Sequence, residues 1–253
     1  MKEPISLQRE RKVMVRETLV MLPGMMCDER LFAHQIAVLK ENYHIIVPKL
    51  NMPATIEGMA RRTLAEVEAP IFNLLGLSMG GIVAMSMVTI APQRIRRLAL
   101  LDTSHLADSP ERITIRNRQI EDVKAGKLRQ VFAEEMKPIY LAKANRKNRI
   151  LLSLLIDMAL DMSADTFIVQ SLALRDRAEH SATLSNFRGP TVLLCGAEDS
   201  LCPPSRHQEM LGLFENAALN VIENCGHIST LEQPTAVTRV LLKWLDLTCD
   251  NVS

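Results

Sequence analysis

The longest stretch without a charged side chain is the feature that most constrains this protein. Residues 69 to 93 read APIFNLLGLSMGGIVAMSMVTIAPQ, which is long enough to cross a lipid bilayer as a helix. Three glycines and two prolines interrupt the stretch, so it divides into an apolar strand, a glycine-rich turn and a helix of small residues. Strands and helices buried in a parallel sheet read as nearly continuous apolar runs. The sequence therefore predicts a buried strand–turn–helix unit and no membrane span.

Short apolar runs of the strand type recur along the chain, and each ends at a turn signal. The six runs cover residues 18–22, 43–47, 71–75, 97–101, 191–195 and 219–223. Helical patterns separate most of them, and strands that alternate with helices form right-handed units around a mostly parallel sheet. We expect an α/β fold with a doubly wound sheet of about six strands, whose carboxyl ends carry the functional residues.

The alternation stops after the fourth run, where only helical patterns occur. Ser109 followed by Pro110 predicts a helix start, and Gly126 predicts a helix end. Two further helical patterns cover residues 150–160 and 163–177. A helical segment between two strands of one sheet is typical of a lid over the strand ends.

These patterns give a domain organisation with one interrupted core. We expect an α/β core formed by residues 1–104 and 190–253. The helical cap, or lid, is predicted at residues 105–189. Because 253 residues lie near the upper limit for one hydrophobic core, we expect the cap to be an insertion and not an independent domain.

Composition excludes several classes of protein. Thirty basic and 29 acidic side chains give a net charge of +1, whereas binding to nucleic acid or to an acidic membrane calls for a strong basic excess. The five cysteines are odd in number and include no C-x-x-C pair, which favours a reducing compartment over disulfides or a zinc site. The first 17 residues are charged throughout and lack the apolar segment of a signal peptide. We expect a cytoplasmic protein.

A nucleophile motif lies inside the charge-free stretch. Residues 76–80 read GLSMG and match G-x-S-x-G, with a strand pattern before the motif and a helical pattern after it, as a nucleophile elbow requires. A side chain at either motif glycine would collide with neighbouring backbone at so tight a turn. The hydroxyl of Ser78 would be exposed at a helix start, where the helix dipole favours negative charge. We predict that Ser78 is a nucleophile.

A serine hydroxyl needs a base, and the base needs an orienting carboxylate. Of the six histidines, His227 follows the last strand run in a tight turn, at the expected sheet edge. Asp199, in the turn after the fifth run, is the favoured carboxylate, with its neighbour Glu198 less suitable because it points elsewhere. Asp102, at the end of the fourth run, is the alternative acid. The chain order Ser78, Asp199, His227 is that of one hydrolase class.

The oxyanion of acyl transfer needs backbone N–H donors. One predicted donor is the amide of Met79, directly after the nucleophile. The second is in the turn after the first strand, where we predict the amide of Met25. Gly24 and Met26, which flank it, and His105, at the start of the insertion, are further candidates for the pocket.

Taken together, the chain resembles enzymes of the α/β-hydrolase fold. The most specific matches are GLSMGG at 76–81, GAEDSLCPP at 196–204 and NCGHISTLEQP at 224–234, and the likeness covers roughly residues 18 to 245. Within the family it resembles the compact bacterial branch that contains carboxylesterases, the pimeloyl-carrier-protein methyl ester esterase and the menaquinone-pathway synthase.

The resemblance implies the roles already assigned from the residues. Ser78 would be the nucleophile, Asp199 the acid and His227 the base, with the amides of Met25 and Met79 as oxyanion donors. Relatives with aspartate or cysteine at the elbow, such as dehalogenases and dienelactone hydrolases, are excluded by the serine. No H-E-x-x-H, Walker or dinucleotide motif occurs, so we predict no metal and no cofactor.

Three departures from the family pattern concern the pocket and the N-terminus. Many members have His-Gly where this chain has Pro23-Gly24, which should still supply a backbone donor. Residues 49–53 replace the family's glycine-rich loop after the second strand, so that side of the pocket is expected to differ. The N-terminal strands of larger members are expected to be absent or reduced to residues 11 to 16.

The sequence leaves the substrate open. Methionines near the predicted site fit either core packing or an adaptable apolar acyl pocket. Residues 105 to 150 carry eleven basic and six acidic side chains, which indicates a solvated helical face or a surface for an acidic acyl carrier protein or an anionic substrate.

The leading hypothesis is a serine hydrolase that cleaves a small or medium carboxylic ester through an acyl-enzyme on Ser78. One alternative is a lyase or synthase of the menaquinone-synthase type that uses His227 and Ser78 for proton abstraction. A second alternative is a non-catalytic receptor for a small ligand on the same fold.

Overall fold

A computed structural model describes residues 16–246 of the protein. The expectations for residues 11 to 15 and for the last cysteine, Cys249, therefore lie outside the described residues. Six strands form one sheet. They are β1 (Glu17–Leu22), β2 (Tyr43–Ile46), β3 (Phe72–Leu77), β4 (Ile95–Leu101), β5 (Thr191–Gly196) and β6 (Ala217–Ile222).

Within residues 16–246, twelve α-helices connect and cover the strands. They are α1 (Ala33–Leu39), α2 (Ile56–Glu66), α3 (Met79–Ile90), α4 (Pro110–Lys124), α5 (Leu128–Gln130), α6 (Lys137–Tyr140), α7 (Arg149–Asp161), α8 (Ala164–Arg175), α9 (Ser181–Asn186), α10 (Pro204–Leu211), α11 (Ser229–Glu232) and α12 (Pro234–Trp244). Short 3-10 turns occur at Glu29–Phe32, Pro92–Arg94 and Lys143–Asn145, and a π-helical turn at Val131–Met136.

The sheet is entirely parallel, in the order β2-β1-β3-β4-β5-β6. The chain moves from β1 to β2 in one direction and from β2 to β3 in the other, so right-handed crossovers put α1 and α2 on opposite faces. Helices α1, α11 and α12 pack together, as do α2 and α3. The predicted doubly wound α/β fold is confirmed.

The strand order reverses between β1 and β3, and ligands of such sheets bind at this switch point, beyond the carboxyl ends of the strands. Leu22 at the end of β1 pairs with Gly76 in β3, and Leu77 pairs with Leu101 at the end of β4. The turns after these three strands therefore meet at one edge. The strands β1, β3 and β5 are almost wholly buried because helices cover both faces.

The segment between β4 and β5 is helical, as predicted. Helix α4 begins after Ser109, whose side chain accepts from a first-turn amide, and the chain leaves the helix at Gly126, where φ is +85°. Helices α7 and α8 match the two other predicted patterns, and α4 packs against α8. The division into a core of residues 1–104 and 190–253 and a cap of residues 105–189 stays a prediction.

The charge-free stretch divides as the glycines indicated. Its first part is β3 and its second part is α3, whose residues Met79 to Val88 are all buried. Among residues 16–246, no helix is both long and apolar enough to cross a membrane.

Candidate active site

The turn at Ser78 joins β3 to α3 in a strained conformation. Ser78 has φ +55° and ψ −117°, a left-handed backbone that side-chain-bearing residues rarely adopt. A Cβ on Gly80 would overlap the carbonyl oxygen of Leu22, and one on Gly76 would lie 2.6 Å from the amide nitrogen of Gly81. Backbone atoms fill the space on both sides, so the turn closes only with glycine at these positions.

Hydrogen bonds hold this turn in place. The Ser78 amide donates to Leu101 O at 2.9 Å, and the Thr103 hydroxyl donates to Ser78 O at 2.7 Å. The amide of Thr103 donates to Nε2 of His207 at 3.3 Å. Burial lowers the pKa of His207 to about 4, so the ring is neutral and can accept. Thr103 and His207 thus support the Ser78 turn from β4 and α10.

The three residues predicted from their turns come together in one line. Oγ of Ser78 lies 2.9 Å from Nε2 of His227, and Nδ1 of His227 lies 2.8 Å from Oδ2 of Asp199. His227 and Asp199 are each 3 % exposed, so water is largely excluded from the line. The arrangement can move a proton from a hydroxyl to an imidazole that is oriented by a carboxylate.

Asp199 is held ionised by its turn. Its Oδ1 accepts from the amides of Leu201 and Cys202 at 2.8 and 2.9 Å. Burial opposes the charge, but His227 and the two amides hold the pKa of Asp199 below its ordinary value. The neighbouring Glu198 points elsewhere, as predicted, and accepts from the Lys143 amide.

His227 is fixed by contacts with the helical insertion. Its amide donates to Tyr140 O at 2.7 Å, and the two rings lie 5.5 Å apart. Glu232 accepts from the amides of Ala142 and Gly226, both at 2.8 Å, which ties the insertion to the His227 turn. Burial opposes protonation, but Asp199 and the further charge of Asp102 hold the pKa of His227 above its ordinary value.

A cavity of about 320 Å³ opens above Ser78 and His227. Met25 and Met79, the predicted oxyanion donors, line it, and neither backbone amide donates to another group among residues 16–246. Met25 is in the turn after β1 and Met79 begins α3, so the two amides flank the nucleophile at the switch point of the sheet. This placement leaves both N–H groups free to bind an oxyanion.

Comparisons with known proteins agree with this geometry. A family model described as alpha/beta hydrolase fold matches residues 55–234, which is well over half of the chain. The chain belongs to this family.

Relatives of this hydrolase include esterases. A pimeloyl-[acyl-carrier protein] methyl ester esterase of Neisseria meningitidis is 24 % identical over 211 residues, which are 79 % of this chain and 65 % of that protein. The solved structure of a thermophilic esterase from Thermogutta terrifontis has a TM-score of 0.83 at 27 % identity and covers 91 % of both chains. These likenesses support a hydrolase activity of the esterase kind.

A third relative is a much longer protein. The polyketide synthase ThaQ of Burkholderia thailandensis is 26 % identical over 249 residues. The match covers 90 % of this chain but 12 % of the synthase, so the hydrolase spans about an eighth of that relative's length.

The second candidate acid lies behind the site of this hydrolase. Asp102 accepts from the amides of Gly196 and Ser229 at 3.2 and 3.1 Å and from the Ser229 hydroxyl at 2.5 Å. It forms no hydrogen bond with His227. Burial and the nearby charge of Asp199 raise the pKa of Asp102 above its ordinary value. Of the two carboxylates, Asp199 is the one that contacts the ring.

The other pocket candidates lie outside the cavity wall. Gly24 and Met26 flank Met25 but do not line the cavity, and neither does His105, which is 5 % exposed and accepts at its carbonyl from His180. The structure thus brings the triad candidates and the two donor candidates together and leaves these three residues beside them.

One residue of the insertion that was not predicted from the sequence supports the turn after β1 that carries the Met25 amide, here called the oxyanion turn. Oε1 of Gln170, in α8, accepts from the Met26 amide at 2.8 Å, and its Nε2 donates to Leu50 O at 2.8 Å. Gln170 is fully buried. Its spacing from Phe167 and Leu174 places a polar side chain on an apolar helix face, which was the available signal.

Three residues at the site are also close enough together to hold a metal ion, judged by distance alone. Ligand atoms of Asp199, Cys202 and His227 lie within 4.8 Å of one another. Burial raises the pKa of the Cys202 thiol well above its ordinary value, whereas metal binding requires the thiolate. The oxygens of Asp199 are already bound to His227 and to two amides, so the arrangement favours a hydrogen-bonded triad.

Replacing Gln170 tests its support of the oxyanion turn. Gln170→Leu leaves the buried Met26 amide and Leu50 carbonyl unpaired, so we expect the free energy of unfolding to fall by about 2 kcal/mol. Displacement of the neighbouring Met25 amide should lower kcat/KM for p-nitrophenyl butyrate by about 10- to 100-fold. The measurements are urea unfolding and steady-state kinetics.

The matched control is Gln208→Leu, at an exposed position of α10, which should leave both quantities unchanged. Unaltered kinetics in a folded Gln170→Leu protein would show that this side chain does not position the turn.

Proposed function

We propose that the protein is a serine esterase that cleaves a small or medium carboxylic ester through an acyl-enzyme on Ser78. The proposal rests on one observation, the continuous line from Oγ of Ser78 through the His227 ring to Asp199, at 2.9 and 2.8 Å. The serine, base and acid are within hydrogen-bonding distance without any rearrangement.

In the first half of the reaction, Nε2 of His227 takes the proton of Ser78 as Oγ attacks the ester carbonyl carbon. The carbonyl π bond breaks and its electron pair moves onto oxygen, where the amides of Met25 and Met79 stabilise the charge. Such donors each contribute about 3 to 4 kcal/mol to the transition state. The amino end of α3 adds a favourable dipole. This tetrahedral intermediate collapses when the oxyanion's electron pair re-forms the carbonyl and the bond to the alcohol oxygen breaks. The imidazolium protonates the departing alkoxide, and the acyl group stays on Ser78.

In the second half, water replaces the alcohol. The water oxygen attacks the acyl carbon while His227 takes a proton from the water. A second tetrahedral intermediate forms, and the same two amides bind its oxyanion. Its collapse breaks the bond to Oγ, and His227 returns the proton to Ser78. Asp199 accepts from Nδ1–H throughout, which fixes the tautomer and stabilises the imidazolium.

The cavity limits the size of the substrate. A volume of about 320 Å³ fits a small or medium ester. Apolar side chains on its wall, such as Met25, Ile82 and Leu174, suit a short acyl chain. Cys27, Cys195, Cys202 and Cys225 are free thiols, which supports our placing the reaction in the cytoplasm.

We extend the proposal to an acyl carrier protein as a partner, because one relative is a pimeloyl-[acyl-carrier protein] methyl ester esterase. A basic patch of four exposed residues, Lys143, Arg146, Lys147 and Arg149, forms no ion pair with any described residue. Two basic residues of α4, Arg118 and Lys124, are by contrast paired with acids. The patch follows Tyr140, whose carbonyl binds the His227 amide.

Binding of an acyl carrier protein to this patch should weaken steeply as ionic strength rises, because exposed charges are screened. Replacing all four residues by glutamine should abolish the salt-dependent part. Calorimetric titration at low and high salt measures both effects, and salt-independent binding would contradict the proposed dock.

Ser78→Ala tests the acyl-enzyme. We expect kcat for p-nitrophenyl acetate to fall by about 10⁴- to 10⁶-fold, with loss of labelling by a fluorophosphonate in intact-protein mass spectrometry. Ser86→Ala, on α3, is the control and should keep both. Retained turnover in Ser78→Ala would refute the nucleophile. An unlabelled but folded wild-type protein would instead favour the lyase or the receptor.

Replacing each of the two buried acids in turn tests which one orients the His227 ring. Asp199→Asn should lower kcat by about 10³- to 10⁴-fold, because the ring loses its orienting acceptor. Asp102→Asn should cost less than about tenfold, because Asp102 does not touch the ring. The reverse order of effects would make Asp102 the catalytic acid.

The pH dependence gives a second readout of the same pair. Only the neutral His227 ring accepts the serine proton, so kcat/KM should fall as pH drops through its pKa. Because that pKa is raised above 6.5, the loss should begin at a higher pH than for an unperturbed imidazole. In residual Asp199→Asn activity the acid limb should move to lower pH, and an unmoved limb would contradict the pairing.

A further inference from the structure

The cavity above Ser78 is unusually rich in cations. Four arginines line it, namely Arg112, Arg116, Arg177 and Arg206. An apolar cavity for a neutral ester has no need of such groups, since each guanidinium brought towards a protein interior loses hydration. The positive charge on the cavity wall therefore needs a negatively charged partner.

One buried carboxylate serves two of the arginines. Asp108 receives Nε of Arg116 at 2.5 Å on one oxygen and Nη1 of Arg177 at 2.7 Å on the other. The three side chains are 2 %, 8 % and 10 % exposed for Asp108, Arg116 and Arg177. A single negative charge thus faces two positive ones in a poorly hydrated place, and one positive charge is left over.

The other acids nearby do not remove this excess. Glu135, which also lines the cavity, is bound by Arg118 on the outer side of α4. Arg206 pairs with Glu209. Arg112 is half-buried and has no carboxylate partner among residues 16–246. Two guanidinium charges of the cavity are therefore uncompensated within the described chain.

The excess charge lies beside the reacting groups. Nη1 of Arg116 is 4.0 Å from the sulfur of Met25, whose amide is the proposed oxyanion donor. Burial, together with the charges of Arg116 and Arg112, lowers the pKa of Arg177, which reflects how closely the cations crowd. An anion that enters the cavity would relieve that repulsion and gain charge-assisted hydrogen bonds from planar donors.

We propose that the substrate is an ester that also carries a carboxylate, bound by Arg112 and by the excess charge of the Arg116–Asp108–Arg177 cluster. This proposal rests on the serine esterase mechanism above and names the substrate class of the same site. Asp108 binds both Arg116 and Arg177, so their two guanidinium groups lie together and can bind the carboxylate of the substrate. The cavity volume places the charged group only a few bonds from the ester.

A structural role alone does not account for the arrangement. The pair of Asp108, just before α4, with Arg177, just after α8, already ties these two segments, and that tie needs one arginine for one carboxylate. Arg116 and the unpaired Arg112 add positive charge without adding a second tie between the two segments. A merely structural cluster also predicts no preference between a charged ester and its neutral counterpart.

Two matched pairs of esters test the proposal. Monomethyl glutarate and methyl pentanoate differ by a carboxylate in place of a methyl group on the acyl side. The pair 3-acetoxypropanoate and propyl acetate has the same difference on the alcohol side. We expect the wild-type protein to hydrolyse one charged ester with a kcat/KM at least about tenfold above that of its neutral counterpart. The preferred pair identifies the side that carries the charge.

Arg112→Gln should lower the ratio of kcat/KM for the preferred charged ester to kcat/KM for its neutral counterpart by about 10- to 100-fold, mainly by raising KM for the charged ester. Arg112→Lys keeps the positive charge but loses the planar pair of N–H donors. Its kcat/KM for the charged ester should therefore lie between those of the wild type and of Arg112→Gln. Arg239→Gln, at an exposed position of α12, is the control and should behave as wild type. Methyl pentanoate turnover reports whether each variant is folded.

Binding of glutarate to Ser78→Ala gives a readout that does not need catalysis. Calorimetry should detect glutarate binding that Arg112→Gln abolishes. A wild-type preference for the neutral ester of both pairs, or glutarate binding unaffected by Arg112→Gln, would overturn the carboxylate proposal while the esterase stands. Failure to hydrolyse any of the four esters, with no fluorophosphonate labelling, would instead overturn the serine mechanism.

Discussion

The left-handed backbone at Ser78 is the constraint on which the rest of the site depends. An L-residue at φ +55° is unfavourable by about 1 to 3 kcal/mol and persists only where its surroundings over-determine it. Here Gly76 and Gly80 let the start of α3 lie directly against neighbouring backbone. The Leu101 carbonyl and the Thr103 hydroxyl then bind the turn from β4. The strain therefore aims one hydroxyl away from the sheet, towards the base.

The helical insertion contributes to the site as well as covering it. Gln170 binds the turn next to Met25, and the Tyr140 carbonyl accepts from the His227 amide. Glu232 accepts from the Ala142 amide in the insertion and from the Gly226 amide in the His227 turn, so it links these two segments. Because these bonds are buried, movement of the insertion away from the core would leave polar groups unpaired on both surfaces. The geometry of the oxyanion turn and of the base therefore depends on where the insertion sits.

Charges of opposite sign act on the His227 ring. Asp199 and, at greater range, Asp102 favour the protonated ring, whereas Arg112 disfavours it. In an interior where water screens little, such fixed charges act more strongly than they would in solvent. The proposed carboxylate of the substrate would offset the cations of the cavity. Substrate binding would then leave the ring more basic in the complex than in the free enzyme, which suits a proton acceptor.

The sequence alone determined the parallel sheet, the elbow and the identity of three candidate residues, because strand periodicity, glycine sterics and turn position are local properties. The glycines around Ser78 are an example: their need follows from the turn itself. Tertiary structure decided which residues from distant segments are in contact, because contacts of this kind cannot be read from neighbouring residues in the sequence. Asp199 and Asp102 both follow strands, and only the packing of the sheet edge shows which one touches His227. Likewise Gln170 binds Met26, and Arg177 binds Asp108, across long separations in the chain, so no window of sequence contained these pairs.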